Sequence, residues 1–178
     1  MGADNQQERP SGITSYISGF VDGEGSFSVS VQRNRSCRVG FQLVPEFHVS
    51  QNADRAQVLE LIKARLGCGY IKSNSKTDRA LVYVVRDRDA LLERVIPFFE
   101  RNPLLSSKQV DVETFASIVR AMALNEHRSE VGFGRLLDLA VSMNGGGRFR
   151  KVRWKELVAV QNPQRLHARQ GPQGAWKI

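Results

Sequence analysis

Apolar residues recur every three or four positions over 13–23, so Ile13, Tyr16, Ile17, Phe20 and Val21 share one face of a predicted helix. Offset from them, Ser15, Ser18, Gly19, Asp22 and Gly23 repeat the same spacing with small residues. Glycine costs a soluble helix about 1 kcal/mol at an interior position, and a fraying end explains Gly23 but not Gly19. The physical reason for such a stripe is the close approach of a second backbone, with no side chain between two helices. We therefore expect Ser15, Ser18, Gly19 and Asp22 to form a helix–helix interface.

The period then changes from helical to alternating. Phe27, Val29 and Val31 alternate with Ser26, Ser28, Ser30 and Gln32, and Asn34 and Ser36 mark a turn. Over 39–51, Phe41, Leu43, Phe47 and Val49 take one side and Gln42, Glu46, His48 and Ser50 the other. Asp54 is expected to cap a helix bearing Val58, Leu59, Leu61, Ile62 and Leu66, closed by Gly67. Strands are predicted at 70–74 and 79–86. A helix opened by Asp87 or Asp89 should then end before Pro97, and helices fit 107–124 and 129–143. The order describes an α+β fold, αββαββα with an antiparallel sheet and further C-terminal helices. One sheet face collects long hydrogen-bonding side chains, Gln32, Arg38, Gln42, His48, Lys72, Asn74, Arg79 and Tyr83, the kind that read base edges in the DNA major groove.

Charge sharpens this picture. Of the chain's net +8, the stretch 145–178 holds +7, and residues 1–144 are nearly neutral. A basic appendage on a neutral domain suits a polyanionic partner. Three parts follow: a polar segment 1–12, a domain 13–144, and a basic extension 145–178 reached through the glycines at 145–147. A helix at 151–160 is expected in that extension. No apolar run reaches the roughly 18 residues of a membrane span, and the polar start shows no signal peptide, so we expect an intracellular protein of a bacterial cytoplasm or an organelle. Cys37 and Cys68 have no metal-ligand spacing and read as reduced thiols.

The segment Ile17-Ser-Gly-Phe-Val-Asp-Gly-Glu-Gly25 resembles, position by position, the signature of the LAGLIDADG homing endonucleases. The resemblance continues through Pro45-Glu-Phe-His-Val-Ser-Gln51, Leu66-Gly-Cys-Gly-Tyr-Ile71, Ile96-Pro-Phe-Phe99, Leu104-Leu-Ser-Ser-Lys-Gln109 and Ser142-Met-Asn144. One motif per chain resembles the homodimeric branch encoded by group I introns. No second such segment occurs, which excludes the two-motif monomeric type.

The resemblance implies a saddle-shaped sheet on double-stranded DNA, and signature helices packed across a twofold axis. It implies Glu24 as the catalytic carboxylate and a Mg²⁺ ligand, with the Gly23 carbonyl as its backbone companion. Gln51 and Lys108, and more weakly Arg55, are implied near the scissile phosphate. For base reading it implies Ser28, Ser30, Gln32 and Asn34, then Gln42 and His48, then Lys72, Asn74, Arg79 and Tyr83, and Arg38 of the polar sheet face is expected on DNA with them. Arg148, Arg150, Lys151 and Arg153 are expected on phosphates, where they add affinity without sequence information. The family also admits intron RNA as a partner, in maturases that help their intron fold. Two other functions stay open at this point, such a maturase and a DNA-binding regulator without catalysis.

Overall fold

The signature helix buries one face against the sheet, and that face only partly matches the one its apolar residues predict. The computed structural model describes residues 12–74 and 79–146, so the polar start and the expected basic extension, with Arg148, Arg150, Lys151 and Arg153, lie outside the described residues. Helix α1 (Gly12–Glu24) buries Thr14, Ile17, Ser18 and Val21. Ile13 and Tyr16, expected in the core, are 52% and 53% exposed. The helix is thus rotated from its expected setting, and apolar and small residues share its outward side.

The two strands that follow keep the predicted phase. Strands β1 (Gly25–Arg33) and β2 (Phe41–Asn52) pair antiparallel, with Phe27 opposite Phe47 and Gly25 opposite Val49. Burial alternates residue by residue along most of both strands, the signature of a sheet with one face packed and one open. A single 3₁₀ turn, Ala53–Arg55, precedes α2 (Gln57–Leu66). Asp54 lies within that turn and does not cap the helix, which has no side-chain cap, but Gly67 closes it with φ 64° as expected.

Strands β3 (Tyr70–Ser73) and β4 (Ala80–Val85) complete an antiparallel sheet in the order β1-β2-β4-β3. Here one expectation fails. Tyr83 pairs opposite Val49 and faces the core, fully buried, with its hydroxyl donating to the Cys68 carbonyl at 2.8 Å. The run Ala-Leu-Val-Tyr-Val-Val is apolar at every other residue on both faces, so its pattern cannot choose a phase. Tyr83 therefore has no place among the base-reading residues.

Asp87 caps the short α3 (Arg88–Ala90) by accepting from the Ala90 amide at 2.8 Å. The chain does not stop before Pro97. A π-helical turn, Leu91–Val95, resets the hydrogen bonding so that Pro97 falls in the first turn of α4 (Ile96–Arg101), where a missing N–H leaves nothing unpaired. Helices α5 (Lys108–Ala123) and α6 (Glu130–Gly146) finish the fold. Helical geometry in α6 ends at Met143, and Asn144, at φ 53°, turns back to bond Asp111 through its amide and the Phe27 carbonyl through its side chain.

One core unites these elements. Phe27 stacks on Phe47 at 4.8 Å and meets Phe99 and Phe115 edge-on at 5.3 and 5.5 Å, tying the signature hairpin to α4 and α5. This packing fixes where α1 ends relative to the sheet.

Candidate active site

Helix α1 hands over to β1 with no loop, because Gly25 allows it. A Cβ on Gly25 would lie 2.5 Å from Val21 Cγ1 and 2.7 Å from the Val21 carbonyl, so backbone would have to move for any other residue. The two residues before it, Gly23 and Glu24, are exposed at the rim of this junction. A helix C-terminus carries unpaired carbonyls and a partial negative charge. Lys108, at the start of α5, answers both. Its ammonium donates to the carbonyls of Val21 (3.1 Å), Gly23 (3.3 Å) and Gly25 (2.7 Å). Burial lowers the Lys108 pKa, against the opposing pull of Asp22, Glu24 and Asp111.

Gln51 sits two residues beyond the Gly25–Val49 pair, half-buried, and its Oε1 accepts from the Asn52 amide at 2.7 Å. Arg55 is exposed in the 3₁₀ turn beyond it. Glu24 and the Gly23 carbonyl are hard oxygen donors of the kind magnesium prefers. Among the described residues no three His, Cys, Asp or Glu side chains of one chain gather into a metal cluster.

The four residues expected at a helix–helix interface divide. Ser15 and Gly19 are exposed, and a Cβ placed on Gly12, Gly19 or Gly23 meets nothing within 4 Å of its own chain. With Tyr16 these glycines draw an open line down the outside of α1. Ser18 turns inward instead, 8% exposed, and donates to the Asn102 carbonyl at 3.1 Å. Asp22 accepts from the Leu105 and Ser106 amides at 3.1 and 3.0 Å and from the Ser106 hydroxyl. The Ser106 hydroxyl bond, helped by those amides, holds the Asp22 carboxyl below the usual carboxylate range. Ser18 and Asp22 therefore anchor α1 to the 102–106 segment of the same chain, and Ser18, buried there, is corrected from its expected role.

The open face of the sheet carries Ser26, Ser28, Ser30 and Gln32 from β1 and Gln42, Glu46, His48 and Ser50 from β2. At its far end Asn34 donates to Gln42 (2.7 Å) and Gln42 to Gln32 (3.3 Å), while Arg38 stands exposed in the loop. Ser30 leans on the Val44 carbonyl at 3.4 Å. Lys72, opposite Val82, lies on the open face, and Asn74 and Arg79 flank the second hairpin.

One residue on this face, Arg86, escaped the sequence reading, which places Glu46 there without a role. Arg86 follows the Phe47–Val85 pair and so stands beside Glu46, its Nε donating to that carboxylate. The ring Nδ1 of His48 lies 3.0 Å from the other Glu46 oxygen, without the alignment of a regular hydrogen bond. The His48 ring and the Arg86 guanidinium hold the Glu46 pKa down to about 2, against the effect of burial. Alternation along 39–51 places Glu46 beside His48, but nothing local to Arg86 reveals a partner 40 residues away.

The sequence matches the LAGLIDADG endonuclease family over residues 17–119, more than half of the chain. The chain is a member of the LAGLIDADG family. The matched span runs from the first signature residue through Glu24, Gln51 and Lys108 into α5. A "probable intron-encoded endonuclease 2" of Neurospora crassa is 34% identical over 134 residues, which is 74% of this chain but 29% of that protein. The chain spans 50% of DNA endonuclease I-CeuI of Chlamydomonas moewusii at 29% identity, and 68% of homing endonuclease I-ApeII of Aeropyrum pernix at 30% identity, over 61% and 65% of its own length.

Solved homing endonuclease structures agree with the fold. The homing endonuclease I-TnaI is 33% identical with a TM-score of 0.74, covering 83% of this chain and 96% of that one. The LAGLIDADG homing endonuclease I-SmaMI, in a structure bound to cleaved DNA, is 29% identical with a TM-score of 0.72, over 75% of this chain and 44% of that one. Among the described residues no helix is long and apolar enough to cross a membrane.

Proposed function

We propose that this LAGLIDADG chain is a site-specific homing endonuclease, which hydrolyses one phosphodiester bond in each strand of DNA as a homodimer with Mg²⁺ and so promotes the homing of its intron. The observation that carries the reading is Glu24 itself. A carboxylate stands exposed at the end of a helix whose outward line of glycines is open to a second copy.

One chain offers one such carboxylate, and two strands must be cut. A twofold pair of α1 helices would bring two Glu24 residues to a common floor, one for each scissile phosphate. In such a pair, residues from both copies contribute to one surface by symmetry. Glu24 and the Gly23 carbonyl would hold the magnesium ion. When bound, that ion supplies positive charge to the phosphate and to the departing oxygen. Lys108 keeps the Gly23 carbonyl in place from behind, and its positive charge beside Glu24 favours the approach of a phosphate. Gln51, at the end of β2, orients groups at the same junction by hydrogen bonds. The open sheet face takes the major groove, with Gln32, Gln42, His48 and Lys72 toward base edges. The basic stretch 145–178 adds phosphate contacts.

The homologue in the solved complex with cleaved DNA supports a DNA substrate, and the intact Glu24 argues for cleavage over binding alone. The reading is tested by incubating the full chain with a randomised duplex library and Mg²⁺ and sequencing the cut ends. The expected product set shares one site with two inverted halves, spanning about two helical turns, cut on both strands. Recovery of unrelated ends, or of sites with no inverted symmetry, would defeat the homodimeric assignment.

A further inference from the structure

An acidic side chain on a DNA-facing surface needs an explanation, since a carboxylate there repels phosphates. Glu46 lies on the open sheet face with its side chain 20% exposed, and both oxygens are committed, one to Arg86 and one approached by His48. It is therefore not a free acceptor for a cytosine amino group, the usual use of a carboxylate in the major groove. Its partner is the exposed member of the pair. Arg86 has a side chain 48% exposed, and it is held through Nε alone. Among the described residues neither of its Nη atoms donates to another group.

We infer that Arg86, oriented by Glu46, is a specificity-determining residue that reads a guanine in each half of the target. The inference rests on the reading above that the open sheet face takes DNA. A guanidinium has five N–H groups in a planar fork. A carboxylate on Nε fixes the plane of that fork and leaves the end formed by Nη1 and Nη2 free. Two parallel donors at that spacing match the O6 and N7 acceptors of guanine, the commonest specific contact in the major groove. The pairing also decides between base and phosphate. Glu46 cancels much of the charge that would draw Arg86 to a phosphate, while the partial charges on a base edge are still satisfied by aligned hydrogen bonds. Restricting the side chain in advance removes rotamer freedom that binding would otherwise have to remove. Glu46 is thus a positioning residue, acting through Arg86.

The test compares base preferences rather than activity alone. The randomised duplex library is cut in Mg²⁺ by the parent chain and by Arg86→Lys, Arg86→Ala and Glu46→Ala. Arg86→Lys keeps the charge and loses the fork. It should lose preference for guanine at one symmetric position in each half-site, by roughly 5- to 150-fold, which is what one bidentate contact supplies. The other positions should stay as they are. Glu46→Ala should weaken the same preference while tightening binding to an unrelated duplex, because it removes a negative charge from the DNA face. A purely structural ion pair predicts the tighter binding but no loss of guanine preference at that position. An unchanged base profile for Arg86→Lys and Arg86→Ala overturns the inference. Gln32→Ala and Lys72→Ala, run alongside, separate this from a wider failure: if they too leave every position unchanged, the sheet face does not read DNA and the underlying reading falls with it.

Discussion

Replacing Glu24 by glutamine is expected to slow DNA cleavage at least about 1,000-fold, the equivalent of about 4 kcal/mol in the barrier, while DNA affinity stays within a few-fold of the parent. The two side chains have nearly the same shape, so the α1–β1 junction, set by Gly25 and by Lys108 on three carbonyls, should remain as it is. What is lost is the negative charge with which Glu24 would hold a hard cation. Affinity should not fall, because the substitution removes a charge that repels phosphates. Cleavage of an end-labelled duplex in Mg²⁺ measures the first quantity, and a gel-shift titration without divalent metal measures the second. Cutting at the parent rate would remove Glu24 from the site.

The second large effect is expected from Gly19→Leu. A Cβ at this position meets nothing within its own chain, so the monomer should fold and melt normally. In the proposed dimer the same side chain would stand between two helices packed closer than the usual 8–10 Å. Overpacking of about 3 kcal/mol raises the dimer dissociation constant roughly 150-fold, and double-strand cleavage should fall with it. Sedimentation velocity with a parallel thermal melt reads this directly. A dimer of parent affinity would refute the close packing of α1 helices.

Much of this layout is legible in the amino-acid sequence, and the failures have physical causes. The hairpin of β1 and β2 is readable because only one of its faces is packed, which makes burial follow the residue-by-residue alternation. In β4 both faces are apolar, with Val82 and Val84 buried on one side and Tyr83 and Val85 on the other, and the phase is lost. On α1 two overlapping stripes compete. Ile17 and Val21 pack inward as expected, but Thr14 and Ser18 join them while Ile13 and Tyr16 face outward. A hydrophobic stripe says only that something covers it, and a second copy of the chain serves as well as the core. Pro97 suggests a helix end, and only the π turn before it explains why the helix continues.

The site shows the same division between local and distant information. Glu24, Gly23 and Gly25 are contiguous, and the signature reveals them together. Lys108 lies 83 residues beyond Gly25, yet it reaches the same carbonyls that the signature helix leaves unpaired. Its placement at the start of α5 follows from the core contacts of Phe115 with Phe27, which no periodicity encodes. Arg86 was missed because the residue that gives it meaning, Glu46, is brought beside it only by strand register. Ser18 and Asp22 have the residue types of a helix–helix contact, and within the chain they bond the 102–106 segment, Asp22 through the Ser106 hydroxyl as well as backbone amides.

In the proposed dimer, one Glu24 per chain serves one DNA strand. This is tested most directly with dimers assembled from one parent chain and one Glu24→Gln chain, purified by two different tags. These are incubated in Mg²⁺ with a duplex selected by the parent and labelled on both strands. The expected result is a nick in one strand of each duplex, with the opposite strand intact. Cleavage of both strands at the parent rate, or of neither, would contradict the assignment of one carboxylate to each scissile phosphate.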